Sequence, residues 1–136
     1  MRAILIIAGG ALTLAGCQTA AESVPSVPPA NYRHFVAAHM RTSLFDPYSV
    51  RDAEIAAPKR ALGPSLNADG FNTPWVVCVR ANAKNRFGAY TGRSVSAYAV
   101  SAAGVVNSWD EARYSQIVCA GADYGPFPEI EAAGKR

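Results

Sequence analysis

Apolar and polar positions divide the chain into regions that predict different elements. Residues 3–14 form an uncharged apolar run behind Arg2. A run of that length is too short to cross a bilayer as a helix, which takes about 20 apolar residues. It fits the apolar core of an export signal. Residues 18–30 place Pro25, Pro28 and Pro29 among small and polar side chains. That composition builds no core. It predicts an extended tether of about 3.1 Å per residue, or roughly 40 Å in all.

Beyond the tether the periodicity changes. Asn31 is suited to cap a helix, and Tyr32, Phe35, Val36, His39 and Met40 recur at helical spacing on one face. Asp46-Pro47 stops that helix, because a residue before proline avoids the helical region. Residues 49–55 read as a strand of poor alternation. Residues 58–74, with Gly63, Pro64, Asn67, Asp69, Gly70 and Asn72, read as an irregular loop. The clearest strand covers 75–81, with Trp75, Val77, Val79 and Ala81 on one face and Val76, Cys78 and Arg80 on the other. A turn-bearing connection follows over 82–93, then a returning strand over 94–102. Ala103-Gly104 permits a second hairpin into 105–107. Ser108-Trp109-Asp110-Glu111 has the form of a capping box and predicts a short helix over 109–119. Gly121, Gly125, Pro126 and Pro128 close the domain, and residues 128–136 read as a flexible tail. The order predicts an α+β fold, with a small antiparallel meander of three to four strands. An N-terminal helix and a short C-terminal helix pack on it, in one globular domain over 31–127.

The apolar run ends in Leu14-Ala15-Gly16-Cys17. An apolar residue, two small residues and a cysteine resemble the lipobox of bacterial lipoproteins. The resemblance implies a signal peptide over 1–16, cleavage before Cys17 and diacylglycerol on the Cys17 thiol. Each buried CH₂ of such chains contributes about 0.8 kcal/mol, and more than one chain makes anchoring stable. In that family an Asp after the cysteine tends to retain the protein in the inner membrane. Gln18 therefore implies the outer membrane of a two-membrane envelope, facing the periplasm. The alternative reading is an ordinary export signal with a chance cysteine.

Composition then narrows the picture. Cleavage would leave about 120 of the 136 residues, enough for one domain with one core. It would remove one of thirteen basic side chains, against ten acidic, leaving a net charge near +2. Such a modest charge, in an envelope protein, argues against nucleic acid as a partner. With Cys17 set aside for lipid, Cys78 and Cys119 form an even pair in an oxidising compartment. A disulfide between them would close a loop of about 40 residues, for which chain entropy gives about 4 kcal/mol. Two buried free thiols are the other reading. There is no Cys-x-x-Cys and so no sign of thioredoxin chemistry.

The stretch Trp75-Val76-Val77-Cys78-Val79-Arg80-Ala81-Asn82-Ala83-Lys84-Asn85-Arg86-Phe87-Gly88-Ala89-Tyr90-Thr91-Gly92 resembles a pattern in small uncharacterised proteobacterial envelope proteins. There a Trp and a Cys on a strand lead into Asn-Ala-Lys-Asn, Phe-Gly and Tyr-x-Gly. Asp46-Pro47-Tyr48-Ser49-Val50 resembles the Asp-Pro-x-Ser-Val segment that precedes it. Many such proteins are lipoproteins. The resemblance implies a domain type and a location, and no activity.

Residues 70–109 hold Arg80, Lys84, Arg86 and Arg93 and no acidic residue. The candidate interaction surface is Asn82, Lys84, Asn85, Arg86, Phe87, Tyr90 and Arg93, a basic and aromatic edge. Its groups suit the phosphates or carboxylates of lipopolysaccharide, peptidoglycan or an envelope protein. The plainer reading is a solvated hairpin whose Asn and Gly residues satisfy turn geometry, with Phe87 and Tyr90 packed locally. His34 and His39 lie five apart, off the four-residue spacing that stacks side chains on a helix, and lack the further ligands a zinc site needs. No metal or other cofactor is expected. The sequence has no Gly-x-Ser-x-Gly, Ser-x-x-Lys or His-Glu-x-x-His motif, so the chain does not read as an enzyme. Trp75 and Trp109 read as core residues. The expected function is a lipid-anchored structural or interaction module. The alternative is a small periplasmic inhibitor, like the lysozyme inhibitors, that places a loop in an enzyme cleft.

Overall fold

The computed structural model describes residues 26–60, 75–110 and 112–131. The export signal, Cys17, residues 18–25 of the tether, the loop over 61–74, Glu111 and residues 132–136 lie outside the described residues.

The first helix, α1, spans Tyr32–Ser43. Asn31 is its N-cap through its carbonyl, which accepts the Phe35 amide at 3.1 Å, and its side chain makes no capping bond. The helix closes on Leu44, whose amide donates to the Met40 carbonyl at 3.0 Å. The chain then makes one 3₁₀ turn, Pro47–Ser49, with proline at a position where its missing N–H costs nothing. Val36, Ala37 and Met40 are the buried residues of α1.

Six strands form one antiparallel sheet: β1 (Arg51–Ala56), β2 (Lys59–Arg60), β3 (Trp75–Asn82), β4 (Ser94–Ser101), β5 (Gly104–Trp109) and β6 (Tyr124–Pro126). Their order is β5-β4-β3-β1-β6, and β2 pairs with β3 (Lys59 opposite Val76, Arg60 opposite Trp75). The α+β class and the antiparallel sheet stand as expected, but the expected three to four strands become six. β2 has two residues and β6 three, too few to display an alternation. Gly125 and Pro126 also read as breakers, and proline is accepted on the edge of a sheet. The register of β1 on β3 shifts between Arg51 and Glu54, at Asp52, whose φ is +52°. Asp is among the few residues that enter the left-handed region at modest cost.

Alternation in β3 sorts its side chains into two cores. Trp75, Val77, Val79 and Ala81 join Val36, Ala37 and Met40 of α1 in the larger one, with Tyr98, Val100, Phe127 and Ile130. Val76 and Cys78 join Ala56, Ala97 and Cys119 in the smaller one, against which Trp109, Tyr114 and Val118 pack. The disulfide between Cys78 and Cys119 is formed, with their Cα atoms 5.7 Å apart, so the free-thiol reading falls. It ties the end of helix α2 (Ala112–Val118) to the central strand.

Two expectations need correction. The helix predicted over 109–119 begins only at Ala112, because Ser108 and Trp109 are strand residues opposite Tyr98 and Ala97. Ser108 is therefore a strand residue, four positions before the helix begins. The Ser115 hydroxyl donates to the Trp109 carbonyl at 2.7 Å. The flexible tail predicted from residue 128 is ordered through Glu131, so the domain extends past 127. Pro128–Glu131 forms a short helix, α3, with Ile130 fully buried. The Phe127 amide donates to the Ala53 carbonyl at 2.9 Å, and Glu131 Oε1 accepts the Ala53 amide at 2.7 Å. Arg33 grips Glu129 through Nε at 2.5 Å and Nη2 at 2.8 Å. A buried isoleucine and this forked ion pair supply what a solvated tail lacks.

Candidate functional site

The end of the sheet where β3 runs into the 82–93 connection carries the candidate surface, and its order comes from the loop itself. The Asn85 amide donates to the Ala89 carbonyl at 3.0 Å, and the Gly88 amide to the Asn85 carbonyl at 2.9 Å. The Asn85 side-chain oxygen accepts from the amides of Phe87 (2.9 Å) and Ala89 (3.2 Å). This is the turn use of asparagine, in which the side chain stands in for backbone. Gly88 takes φ +76°, a conformation that costs glycine nothing. Lys84 and Tyr90 pair across the base of the loop.

A second clamp comes from Ser49, far away in sequence. Its hydroxyl donates to the Asp46 carbonyl at 2.7 Å and accepts the Lys84 amide at 2.8 Å. Its carbonyl accepts the Tyr90 hydroxyl at 2.8 Å. The Arg51 guanidinium lies 3.6 Å from the centre of the Tyr90 ring, and Lys84 Nζ lies 5.7 Å from it. One aromatic ring thus gathers two cations.

The predicted surface residues separate into three roles. Arg86 and Phe87 are exposed at the tip, and Lys84 stands half-exposed at the base of the loop beside the Tyr90 ring. The Phe87 ring is 82% exposed, with the Arg86 guanidinium 5.3 Å from its centre. Asn85 and Tyr90 build the loop and contribute shape. Arg93 is committed elsewhere: its Nη1 lies 2.7 Å from Glu54 Oε2, and Arg80 Nε donates to the same oxygen. The hydrogen bond from Arg80 leads in holding the Glu54 carboxyl below the ordinary range, the positive charges of Arg80 and Arg93 add to it, and desolvation opposes them. Asn82 does not belong to the surface. As the last residue of β3, opposite Arg51, it is 8% exposed, and among the described residues its Oδ1 finds no hydrogen-bond partner. Of the two local alternatives, Tyr90 follows the plain one and packs locally, whereas Phe87 does not.

Ser49, Arg51, Phe45 and Tyr48 are the residues that sequence reasoning missed. The signal for Ser49 lay in the Asp46-Pro47-Tyr48-Ser49-Val50 segment, which stood out as a pattern without a mechanism. Phe45 and Tyr48 are exposed on either side of that 3₁₀ entry. Elsewhere, His39 meets the Tyr98 ring edge-on at 5.7 Å. Among the described residues no group of three or more His, Cys, Asp or Glu is placed to hold a metal ion, and no helix is long and apolar enough to cross a membrane. An open cleft of about 300 Å³ lies beside this end, lined by Asp52, Glu54, Arg93, Phe127, Pro128 and Glu131 among others. Glu54 and Glu131 are already engaged there, by two arginines and by the Ala53 amide. No family model, no curated protein and no solved structure matches the chain.

Proposed function

We propose that this protein is a lipid-anchored envelope module that works by contact and not by catalysis. Lipid on Cys17 ties it to the outer membrane, on the periplasmic side, and the tether gives the domain its reach. The 82–93 connection is its contacting surface. The observation that carries this reading is the exposure of Phe87 on a loop held by its own hydrogen bonds and by Ser49. A large apolar ring in water stabilises nothing in the fold, and a rigid loop that presents it loses little conformational freedom on binding. Lys84 and Arg86 beside it supply charge-assisted donors.

Two experiments test the two halves. Palmitate labelling and fractionation address the anchor: the native protein takes label and pellets with outer membranes, and Cys17→Ser does neither. A Cys17→Ser chain that is processed and pellets like the native one ends the anchoring proposal. Lys84→Gln with Arg86→Gln addresses the surface, because among the described residues these two cations have no ion pair to lose, unlike Arg93. Retention by isolated envelopes, after the lipid is removed, falls in the double variant. Unchanged retention ends the surface proposal.

The same stiff loop with an aromatic tip also supports a second reading, insertion into the cleft of a lysozyme. Inhibition of lysozyme by the native chain, lost in Phe87→Ala, would favour it over the first.

A further inference from the structure

We infer that the end of the sheet bearing Phe45, Tyr48 and Phe87 rests on an anionic lipid surface, with the three rings at headgroup depth and Arg51, Lys84 and Arg86 against the phosphates. The inference rests on the reading above, that this end makes contact, and it names what is contacted.

Among the described residues the exposed large hydrophobic side chains are Val27, Phe45, Tyr48, Phe87 and Ile117. Val27 lies in the tether and Ile117 on α2, and the three aromatic ones lie on the two segments that Ser49 ties together. Ser49 joins them physically: its amide and hydroxyl hold the turn that places Phe45 and Tyr48, and the same residue clamps Lys84 and Tyr90. Aromatic rings interleaved with lysine and arginine suit a membrane interface, where the ring is apolar and its surroundings are wet and negatively charged.

Shape favours a broad surface over a small ligand. The clefts of about 300 Å³ and 30 Å³ are lined by other side chains, and none of the three rings enters them. Small ligands and sugars are held in concave sites. A tip with its ring 82% exposed is the opposite shape.

Charge points the same way. Residues 83–93 contain Lys84, Arg86 and Arg93 and no carboxylate. The acids at this end are Asp46, Asp52, Glu54 and Glu131, the last bonded to the Ala53 amide. Glu54 is shared by Arg80 and Arg93, and Asp52 lies 3.9 Å from Arg51. Arg51, Arg80, Lys84, Arg86 and Arg93 against four carboxylates leave the end positive by one charge, with Lys84 and Arg86 in no ion pair among the described residues.

The test uses the intact lipidated chain in vesicles of phosphatidylcholine, with or without phosphatidylglycerol, and brominated lipid as a depth-sensing quencher. Phe87→Trp reports on the tip and Ile117→Trp on α2. Both positions are exposed, so both variants fold. The expected result is quenching of the tip reporter in anionic vesicles only, relieved by high salt, with the α2 reporter unquenched. Adding Lys84→Gln and Arg86→Gln lowers the docked-to-undocked ratio by about fivefold for each cation removed. Equal quenching of the two reporters, or tip quenching that ignores lipid charge and salt, overturns the inference. Failure to float with vesicles at all would instead strike the anchor. A protein captured from envelopes through the same tip, with no lipid quenching, would keep the contact surface and overturn its lipid partner.

Discussion

Phe87 and Phe127 both sit in short segments broken by glycine or proline, and in the fold each ring has an arginine beside it. Arg86 lies 5.3 Å from the Phe87 ring centre and Arg33 lies 5.4 Å from that of Phe127. One ring is 82% exposed and the other 0%. The difference lies in what the backbone around each ring is tied to. Residues 85–89 are closed on themselves by Asn85, so the tip projects. Phe127 hydrogen-bonds to Ala53 of β1, and Pro128–Glu131 returns Ile130 to the core. Two short segments, one basic and one acidic, thus have opposite uses. One completes the fold, and the other is held in place while its largest side chain is left outside the fold.

The largest effect that would break this contrast is expected at Phe127. Phe127→Ala should cost about 3–5 kcal/mol of unfolding free energy, as truncation of a fully buried aromatic does. A urea midpoint close to the native one would show that the segment is not part of the core. Next comes the disulfide, which stands at the head of the returning segment. Cys78→Ala with Cys119→Ala should cost about 2–4 kcal/mol, and protease sensitivity should rise first in α2.

A smaller effect is expected from the ion pair that fastens α3 to α1. The Arg33 hydrogen bond leads in holding the Glu129 carboxyl below the ordinary range, against desolvation. A carboxylate lowered in the folded state favours the fold fully above its unfolded value, about 4.3. That contribution is lost as pH falls through the lower folded value, because the unfolded chain binds the proton first. Stability measured from pH 6 to pH 3 should therefore decline less steeply in Glu129→Gln than in the native chain. Because the pair is partly exposed, the loss at neutral pH should stay at or below about 1 kcal/mol. The smallest effect on stability belongs to Phe87→Ala, within about 0.5 kcal/mol of native, although retention by envelopes falls. A large destabilisation there would mean that Phe87 belongs to the fold after all.

These contrasts also show what could be read from residues alone. β3 was legible because its apolar residues alternate: Trp75, Val77, Val79 and Ala81 fall in one core and Val76 and Cys78 in the other, as the expected faces had them. The Cys78–Cys119 bridge was the favoured of two readings once Cys17 was set aside and two cysteines remained. β6 and α3 were hidden because Gly125, Pro126 and Pro128 punctuate three-residue and four-residue elements, which exist only because β1 and α1 are there to receive them. Ser108 and Glu111 have the spacing of a capping box, but pairing of Ser108 and Trp109 with β4 outweighs that local preference. At the candidate site, Lys84, Arg86 and Phe87 stood out from composition. Asn82 was misplaced, because a polar residue at a strand end carries no mark of burial. Ser49 was invisible as a clamp, since its partners Lys84 and Tyr90 are brought to it only by the folded sheet.

Site-specific photo-crosslinking in intact envelopes tests most directly whether the exposed tip is a contact surface. The crosslinker is placed in turn at Phe87 and at Ile117, which are both exposed and lie on different elements. The account predicts a reproducible adduct from position 87, abolished when Lys84 and Arg86 are neutralised, and none from position 117. Equal adducts from both positions, or none from 87 in a protein present in the membrane fraction, would contradict it.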